Sequence, residues 1–371
     1  MKILIVTDAW APQINGVVRT LETTRQTLET FGHEVDVLSP EGQRTLPCPG
    51  YSEIRLTMRP WRAVKNHFKG RQYDAIHIAT EGPLGLAARH WCKRRGLAFT
   101  SSCHTRFPEY IRLRLPIPLG WSYAWLRWFH GAAERTMVRS PGQLSDLKAR
   151  GFARLAVWPG AVDNNVFRPR ERDALDLPRP IALYAGRVST EKNLDAFLSL
   201  DLPGSKVVIG DGPALPALKK RYPQVHFTGY LKGEALAGAM ASADVFVFPS
   251  LTDTLGLVNL EAMACGVPVA AFPAPGVSDL VVDGGNGALD PDLTQAIFRA
   301  LAVDGEACIE FASQFSWETC TRRFERLLCV PASANQKQEE SDRDRSPSTY
   351  NGEACQSPLQ ARKAMSTALL N

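Results

Sequence analysis

The chain has 371 residues, 44% hydrophobic and 22% charged, with a formal net charge of +5. That length exceeds one ordinary core and implies two domains of about 150 residues plus extras, while the charge permits an anionic partner without requiring nucleic acid. Eight cysteines (48, 92, 103, 265, 308, 320, 329 and 355) form no C-x-x-C pair and no zinc spacing, so reduced thiols in a cytosolic protein are expected. No uncharged apolar run reaches the ~18 residues of a membrane span.

MKILIVTD is too short for a secretory leader, is broken by Asp8, and reads as a first strand. Further short apolar runs follow in EVDVL, DAIHIA and LAFTSS. They alternate with amphipathic helices such as the one in which Val17, Leu21, Thr24 and Leu28 recur at helical spacing and Gly32 is the stop. Prolines and clustered charge between Arg154 and Pro180 mark a linker. A second series then begins with IALYAG, KVVIGDG, VHFTG, DVFVFP and PVAAF. The expectation is α/β, two doubly wound parallel-sheet domains. The boundaries are 1–165 for the first domain, 166–180 for the linker and 181–315 for the second. A final helix, 316–330, and a tail at 331–371 that lacks any apolar period and reads as disordered complete the chain.

In open α/β sheets ligands sit at the carboxyl ends of strands, so chemistry belongs in the loops that follow them. Those loops supply His104, the cations Arg187 and Lys192, the glycine-rich turn GDGP at 210–213, and Gly16, where backbone can approach an anion closely. SLTDTLGLVNLEAMACGVPV, residues 250–269, reads as a strand-to-helix turn followed by a helix of roughly three turns that ends at Gly266. The backbone N–H groups of Leu255, Gly256 and Leu257 open that helix and form an anion seat. Asp253 and Glu261 lie eight positions apart, on the order of 10 Å along a helix axis, a spacing that suits a nucleotide sugar. Each residue also has an ordinary reading: Asp253 as a helix N-cap, Glu261 as the partner of an unseen cation, Arg187 and Lys192 as surface charges, His104 as a satisfied interior histidine.

Taken together, AGRVSTEKN, GDGP and SLTDTLGLVNLEAMACGVPV resemble the retaining nucleotide-sugar glycosyltransferases of family 4, over Met1 to about Val330. The resemblance implies the GT-B architecture, two Rossmann-like domains facing across a cleft, and transfer with retained anomeric configuration and no required metal or cofactor. It implies that Arg187 and Lys192 bind the donor diphosphate, that Gly16 and Leu255 to Leu257 contact phosphate and sugar, and that Glu261 holds the donor ribose. Gly210 and Leu231 fall among the donor-binding positions, Asp253 where the first acid of a paired-glutamate motif stands, and His104 at an active-site histidine. Asp253 for glutamate and Leu255 for the usual phenylalanine are departures. For the base, Glu234 and Lys232 in GYLKGEALAG offer a guanine edge and the backbone serves uracil equally, with a UDP-sugar slightly favoured over GDP-mannose.

TDAWAPQINGVVRTL, HIATEGPLGLAAR and CHTRFPEYIRLRLPIP are similar to the branch of the family that glycosylates membrane lipids. Pro60 to Arg71 reads as one amphipathic helix with Trp61, Val64 and Phe68 on one face and Arg62, Lys65 and Lys69 beside it, able to lie on an anionic membrane surface. Trp121, Trp125 and Trp128 stripe another helix near Arg112, Arg114 and Arg127, which core packing explains equally well. The expected protein is a cytoplasmic enzyme, peripheral on the inner face of the membrane, using a nucleotide-sugar donor, a lipid or saccharide acceptor and no nucleic acid. A nucleotide-sugar epimerase and a non-catalytic lipid- or sugar-nucleotide-binding module are the readings from other classes.

Overall fold

A computed structural model describes residues 1–13, 15–48, 51–104, 107–112 and 117–329. The tail at 331–371 and Arg114 lie outside the described residues. The first half contains β1 (Lys2–Val6), β2 (Glu34–Leu38), an antiparallel pair β3 (Thr45–Cys48) and β4 (Tyr51–Thr57), then β5 (Ala75–Ile78), β6 (Thr100–Cys103), β7 (Arg135–Val138) and β8 (Leu155–Val157). Six of them form one parallel sheet in the order β2-β1-β5-β6-β7-β8. Its helices are α1 (Gly16–Thr30), α2 (Pro60–His67), α3 (Pro83–Arg95), α4 (Phe107–Arg112), α5 (Leu119–His130) and α6 (Pro141–Ala149).

The second half contains β9 (Ile181–Ala185), β10 (Ser205–Ile209), β11 (His226–Gly229), β12 (Val245–Phe248), β13 (Val269–Ala271) and β14 (Gly287–Leu289), all parallel, in the order β11-β10-β9-β12-β13-β14. Its helices are α7 (Leu194–Leu198), α8 (Leu215–Arg221), α9 (Gly233–Ala241), α10 (Leu257–Ala264), α11 (Leu293–Ala300) and α12 (Gly305–Ser313). Strands such as IALYA and VFVF are buried at every position, as central strands covered on both faces must be. Strand order reverses between β1 and β5 and between β9 and β12, so each sheet opens a crevice at its carboxyl edge there. This is the GT-B arrangement.

Residues 166–180 run along the second domain. Phe167 is buried and Leu175 and Leu177 pack against the second core, while Arg172 and Arg179 both reach the Asp244 carboxylate, at 2.6 and 2.9 Å. Helix α10 has eight residues, shorter than the three turns expected. Gly256 stands before it in the left-handed region at φ 73°, and Gly266, at φ 78°, follows its end.

The amphipathic helix expected from Pro60 to Arg71 needs a larger correction. It stops at His67, so Lys69 lies beyond it. Val64 is fully buried and packs in the first domain's core with Leu84 and Ile78, and Phe68 stacks on Trp91 at 5.6 Å. The apolar face is spent on the core, while Trp61, Arg62, Lys65, Asn66, Lys69 and Arg71 face solvent. The tryptophan stripe of α5 resolves the other way, with Trp121, Trp125 and Trp128 exposed.

A last helix, α13 (Trp317–Leu327), returns to the first domain. Its Cys320 and Phe324 share a core with Ile3, Ile5, Leu21 and Trp158, and the Val162 N–H donates to the Phe315 carbonyl at 2.8 Å as the chain crosses. Phe324 is fully buried, with ring centroids 4.9 Å from His77 and 4.7 Å from Trp158. Phe324→Ala is therefore expected to cost about 3–5 kcal/mol of stability, and truncation before Ser316 to destabilise the first domain. Urea unfolding followed by tryptophan fluorescence checks both; a midpoint unchanged from wild type would show that α13 contributes nothing to that core.

Candidate active site

Two loops flank the switch point of the second sheet. The loop after β9 carries Arg187 and ends in the short 3-10 turn Thr190–Lys192, and the loop after β12 carries Asp253. The Lys192 ammonium donates to both Asp253 carboxylate oxygens, at 2.6 and 2.8 Å. Burial pulls the Lys192 pKa down, but the Asp253 charge and the Tyr184 hydroxyl outweigh it and the net shift is upward, so the lysine is a fixed cation. Asp253 thus serves Lys192 rather than capping α10, whose N-terminus has no side-chain cap. The Tyr184 hydroxyl donates to the Arg187 carbonyl at 2.9 Å and holds the arginine's loop. The glycine-rich turn has a packing reason: a Cβ at Gly210 would lie 1.9 Å from the Gly186 carbonyl oxygen, and one at Gly212 2.3 Å from that of Val188.

The first turn of α10 faces the first domain. Leu255 is buried, Gly256 and Leu257 are half-buried, and the Cβ position of Gly16, the first residue of α1, lies 4.0 Å from a Leu257 methyl. Glu261 is 5% exposed and is held by Arg19 of α1, an ion pair across the two domains. Burial raises the Glu261 pKa and Arg19 recovers only part of the shift. Nearby the Thr254 hydroxyl donates to the His104 carbonyl at 2.8 Å, and the Gly142 N–H donates to the Asp279 carboxylate at 3.0 Å.

On the first sheet, β6 presents hydroxyls to both faces. His104 Nε2 is 2.8 Å from Ser102 Oγ, which is 3.1 Å from His77 Nε2, and His77 Nδ1 is 2.9 Å from Thr100 Oγ1. The chain is buried throughout. Burial, then the His130 charge, pushes the His77 pKa down to about 3; burial, then the neighbouring Arg139 charge, holds His104 well below its usual range. Both imidazoles are neutral, and His104 is set edge-on to Trp158 with centroids 5.5 Å apart. On the opposite face Glu81, Cys103 and His130 bring potential metal-ligand atoms within 4.8 Å of one another. His130 already shares its two nitrogens with Ser101 and Glu81, at 2.9 and 3.1 Å, so a hydrogen-bonded chain accounts for that group.

The structure therefore brings together Lys192 with Asp253, Gly16 with Leu257, and His104 with the loop of Asp253 through Thr254. Leu231 packs against the second core, and Glu234 is engaged by Arg170. Arg62, Lys65 and Lys69 belong to a separate, exposed surface. Arg19 and Thr254 escaped the sequence reading. The only local signal for Arg19 is a lone cation one turn into a helix whose neighbours Val17 and Val18 face inward.

Residues 14–166 match Glycosyltransferase Family 4 and residues 179–303 match Glycosyl transferases group 1. A sulfoquinovosyl transferase of Arabidopsis thaliana is 33% identical over 76% of this chain, which spans 61% of that relative's length. A GDP-mannose-dependent alpha-mannosyltransferase of Mycobacterium tuberculosis is 30% identical over 78% of this chain and 84% of its own. An alpha-monoglucosyldiacylglycerol synthase of Streptococcus pneumoniae is 28% identical over 87% and 83%. Among solved structures, a sucrose-phosphate synthase from Thermosynechococcus elongatus has the same fold, with TM-score 0.71 at 20% identity over 88% of this chain and 98% of that one.

The buried histidines make stability depend on pH. Their folded pKa values lie below the unfolded one, so the unfolded chain takes up protons first as pH falls. Their contribution is complete above about pH 6.5 and is lost below it, with a slope of up to about 1.4 kcal/mol per pH unit per histidine. Urea midpoints measured from pH 7.5 to 5 should decline, and His104→Asn should flatten the decline; an unchanged slope would mean that His104 is solvated or protonated in the folded state.

Proposed function

This chain belongs to the family 4 glycosyltransferases, and on that premise we propose that it is a retaining, metal-independent hexosyltransferase that moves a sugar from a nucleoside diphosphate donor to a diacylglycerol-type membrane lipid. The observation that carries the reading is the pairing of Lys192 with Asp253 beside Arg187, at the switch point of the second sheet. The two cations replace a metal as the electrostatic clamp on the leaving diphosphate. The N–H groups at Leu255 to Leu257 add to the clamp, Glu261 takes the ribose, and Asp253 presents its carboxylate to hydroxyls of the transferred sugar. The bond from the anomeric carbon to phosphate breaks while an acceptor oxygen bonds to the same face, and the acceptor's proton passes to a phosphate oxygen. His104, neutral and fixed by Ser102, supports the sugar without titrating.

The lipid acceptor is supported by one exposed face of the first domain. Trp61 meets His90 of α3 with centroids 5.1 Å apart, and the neighbouring Arg89 stacks on Trp128 of α5 at 3.8 Å. Arg62, Lys65, Lys69 and Arg127 of the same domain are also exposed, a composition suited to peripheral attachment on the anionic inner face of a membrane. Among the described residues no helix is long and apolar enough to cross a membrane. For the donor, a UDP-sugar is favoured because Arg170 occupies the Glu234 carboxylate that guanine would use. GDP-mannose with a saccharide acceptor is the second reading, since relatives carry that donor in their names.

Incubation with a panel of UDP- and GDP-sugars, with and without diacylglycerol, tests the assignment through nucleotide release and glycolipid formation. Lys192→Ala or Arg187→Ala should lose roughly 2–4 kcal/mol of transition-state stabilisation, read in kcat/KM; near-normal turnover would remove the phosphate role. Chelation by EDTA should leave the rate intact, and a requirement for added Mn²⁺ would overturn metal independence. Arg62, Lys65 and Lys69 changed to glutamate should release the protein from anionic vesicles in co-sedimentation, whereas equal binding would make this a merely solvated face.

A further inference from the structure

The seam between the two domains closes over a cation that no described residue neutralises. Arg139 follows β7 directly, at the carboxyl edge of the first sheet and one strand along from His104. The residue is 4% exposed, and both terminal guanidinium nitrogens, Nη1 and Nη2, are buried without a hydrogen-bond partner. The guanidinium lies 4.8 Å from the centroid of Trp158, the ring that also receives the edge of His104. Its cover comes partly from the second domain. A Cβ built at Gly160 would lie 3.5 Å from Arg139 Nη2, and 2.3 and 2.5 Å from methyls of Leu257 and Leu255. One glycine therefore separates the cation from the turn that opens α10.

A guanidinium cannot escape this position by neutralising itself. Burial lowers its pKa, slightly opposed by Cys320, yet arginine keeps its proton across the physiological range. Burial raises the Cys320 thiol pKa, so that residue supplies no counter-charge. Stacking on an indole compensates part of the lost hydration, but two desolvated N–H-bearing nitrogens of a charged group remain unfavourable until an acceptor meets them. The acceptor that fits a planar fork is an oxyanion taking two parallel hydrogen bonds. The diphosphate is assigned to Arg187 and Lys192 of the second domain, whereas Arg139 stands with His104 on the first.

We propose that Arg139 is an oxyanion-recognition residue of the cleft, its Nη1 and Nη2 holding a carboxylate, sulfonate or phosphate carried by the transferred sugar or by the acceptor. The inference rests on the glycosyltransferase reading for what the anion is attached to, and on Arg139 itself for the anion. It makes domain closure sensitive to the substrate's charge, because the closed seam without an anion buries an unpaired cation and with one buries an ion pair.

The test uses the full chain, with inorganic sulfate and inorganic phosphate as probes and the melting temperature as readout, for wild type, Arg139→Gln, Arg139→Lys and Lys192→Ala. Without added anion, Arg139→Gln should melt at or above wild type, since a neutral amide removes the unpaired charge. Added sulfate should raise wild type by more than Arg139→Gln, with Arg139→Lys between them, and Lys192→Ala should keep the Arg139-dependent part. A drop of several degrees in Arg139→Gln with an unaltered sulfate response would make Arg139 a packing residue on Trp158 and overturn the proposal. So would a response abolished entirely by Lys192→Ala. Turnover then locates the anion. In Arg139→Gln, kcat/KM should fall by roughly tenfold or more for UDP-glucuronate relative to UDP-glucose if the sugar carries it, or for a phosphatidyl acceptor relative to diacylglycerol if the acceptor does. Equal losses on charged and neutral substrates would count against the assignment. Absence of any turnover by wild type would count against the transferase reading instead, leaving the sulfate titration to decide Arg139.

Discussion

Glu261 sits in the interior of an apolar helix with its side chain almost wholly out of water, and it needs a cation. The cation that reaches it, Arg19, belongs to the other domain. The pair is shared between the domains, so separating them would take from Glu261 the cation that offsets its burial. The requirement brings the N-terminus of α1 against that of α10, and the nearby contacts follow from it. Gly16 meets Leu257, Thr254 bonds to the His104 carbonyl, and Asp279 receives the N–H of Gly142 at the start of α6.

Charge is handled differently on the two sides of that seam. Lys192 and Asp253 satisfy each other, so the second domain holds a half-buried cation at little standing cost, which the proposed reaction shares with a diphosphate. Arg139 on the first domain has no such partner among the described residues and, on the inference above, is desolvated at a cost until a ligand arrives. In the proposed reaction the first arrangement is a preorganised clamp, present before the donor binds. The second describes a site whose closed form is favoured only with the ligand in place.

Much of the architecture could be read from the residues, because central parallel strands are unbroken apolar runs and need no long-range information. KILIV, IALYA and DVFVF are of this kind. The strands that escaped, β3, β4, β7, β8 and β14, look least like it: β7 begins at Arg135, and β8 is a three-residue edge strand half-buried along its length. Helix α2 misled in the opposite direction. Trp61, Val64 and Phe68 have the spacing of a surface-seeking face, yet periodicity shows only that one face is covered, not by what. Val64 is covered by the protein's own core and the α5 tryptophans are not. Lys192, Asp253 and Glu261 could be picked out as unusual, but their partners could not. Arg19 and Glu261 are 242 residues apart, and no local pattern carries such a contact.

Both halves are doubly wound parallel sheets, though with different strand orders, and they place different chemistry at their carboxyl edges. The second sheet ends in cations and backbone donors. The first ends in a buried row in which Thr100, His77, Ser102 and His104 follow one another by hydrogen bonds, all neutral. A histidine held so far below its ordinary pKa, with its ring nitrogen committed to Ser102, is a poor proton acceptor at neutral pH. It is well suited to fixing the position of a hydroxyl. On the proposed reading the first domain supplies shape and orientation, and the proton of the acceptor goes elsewhere. In the proposed reaction it goes to the departing phosphate, whose developing charge is held by Lys192 and Arg187. Each domain then needs only its own kind of rigidity, and the ion pair between them has only to keep the two edges in register.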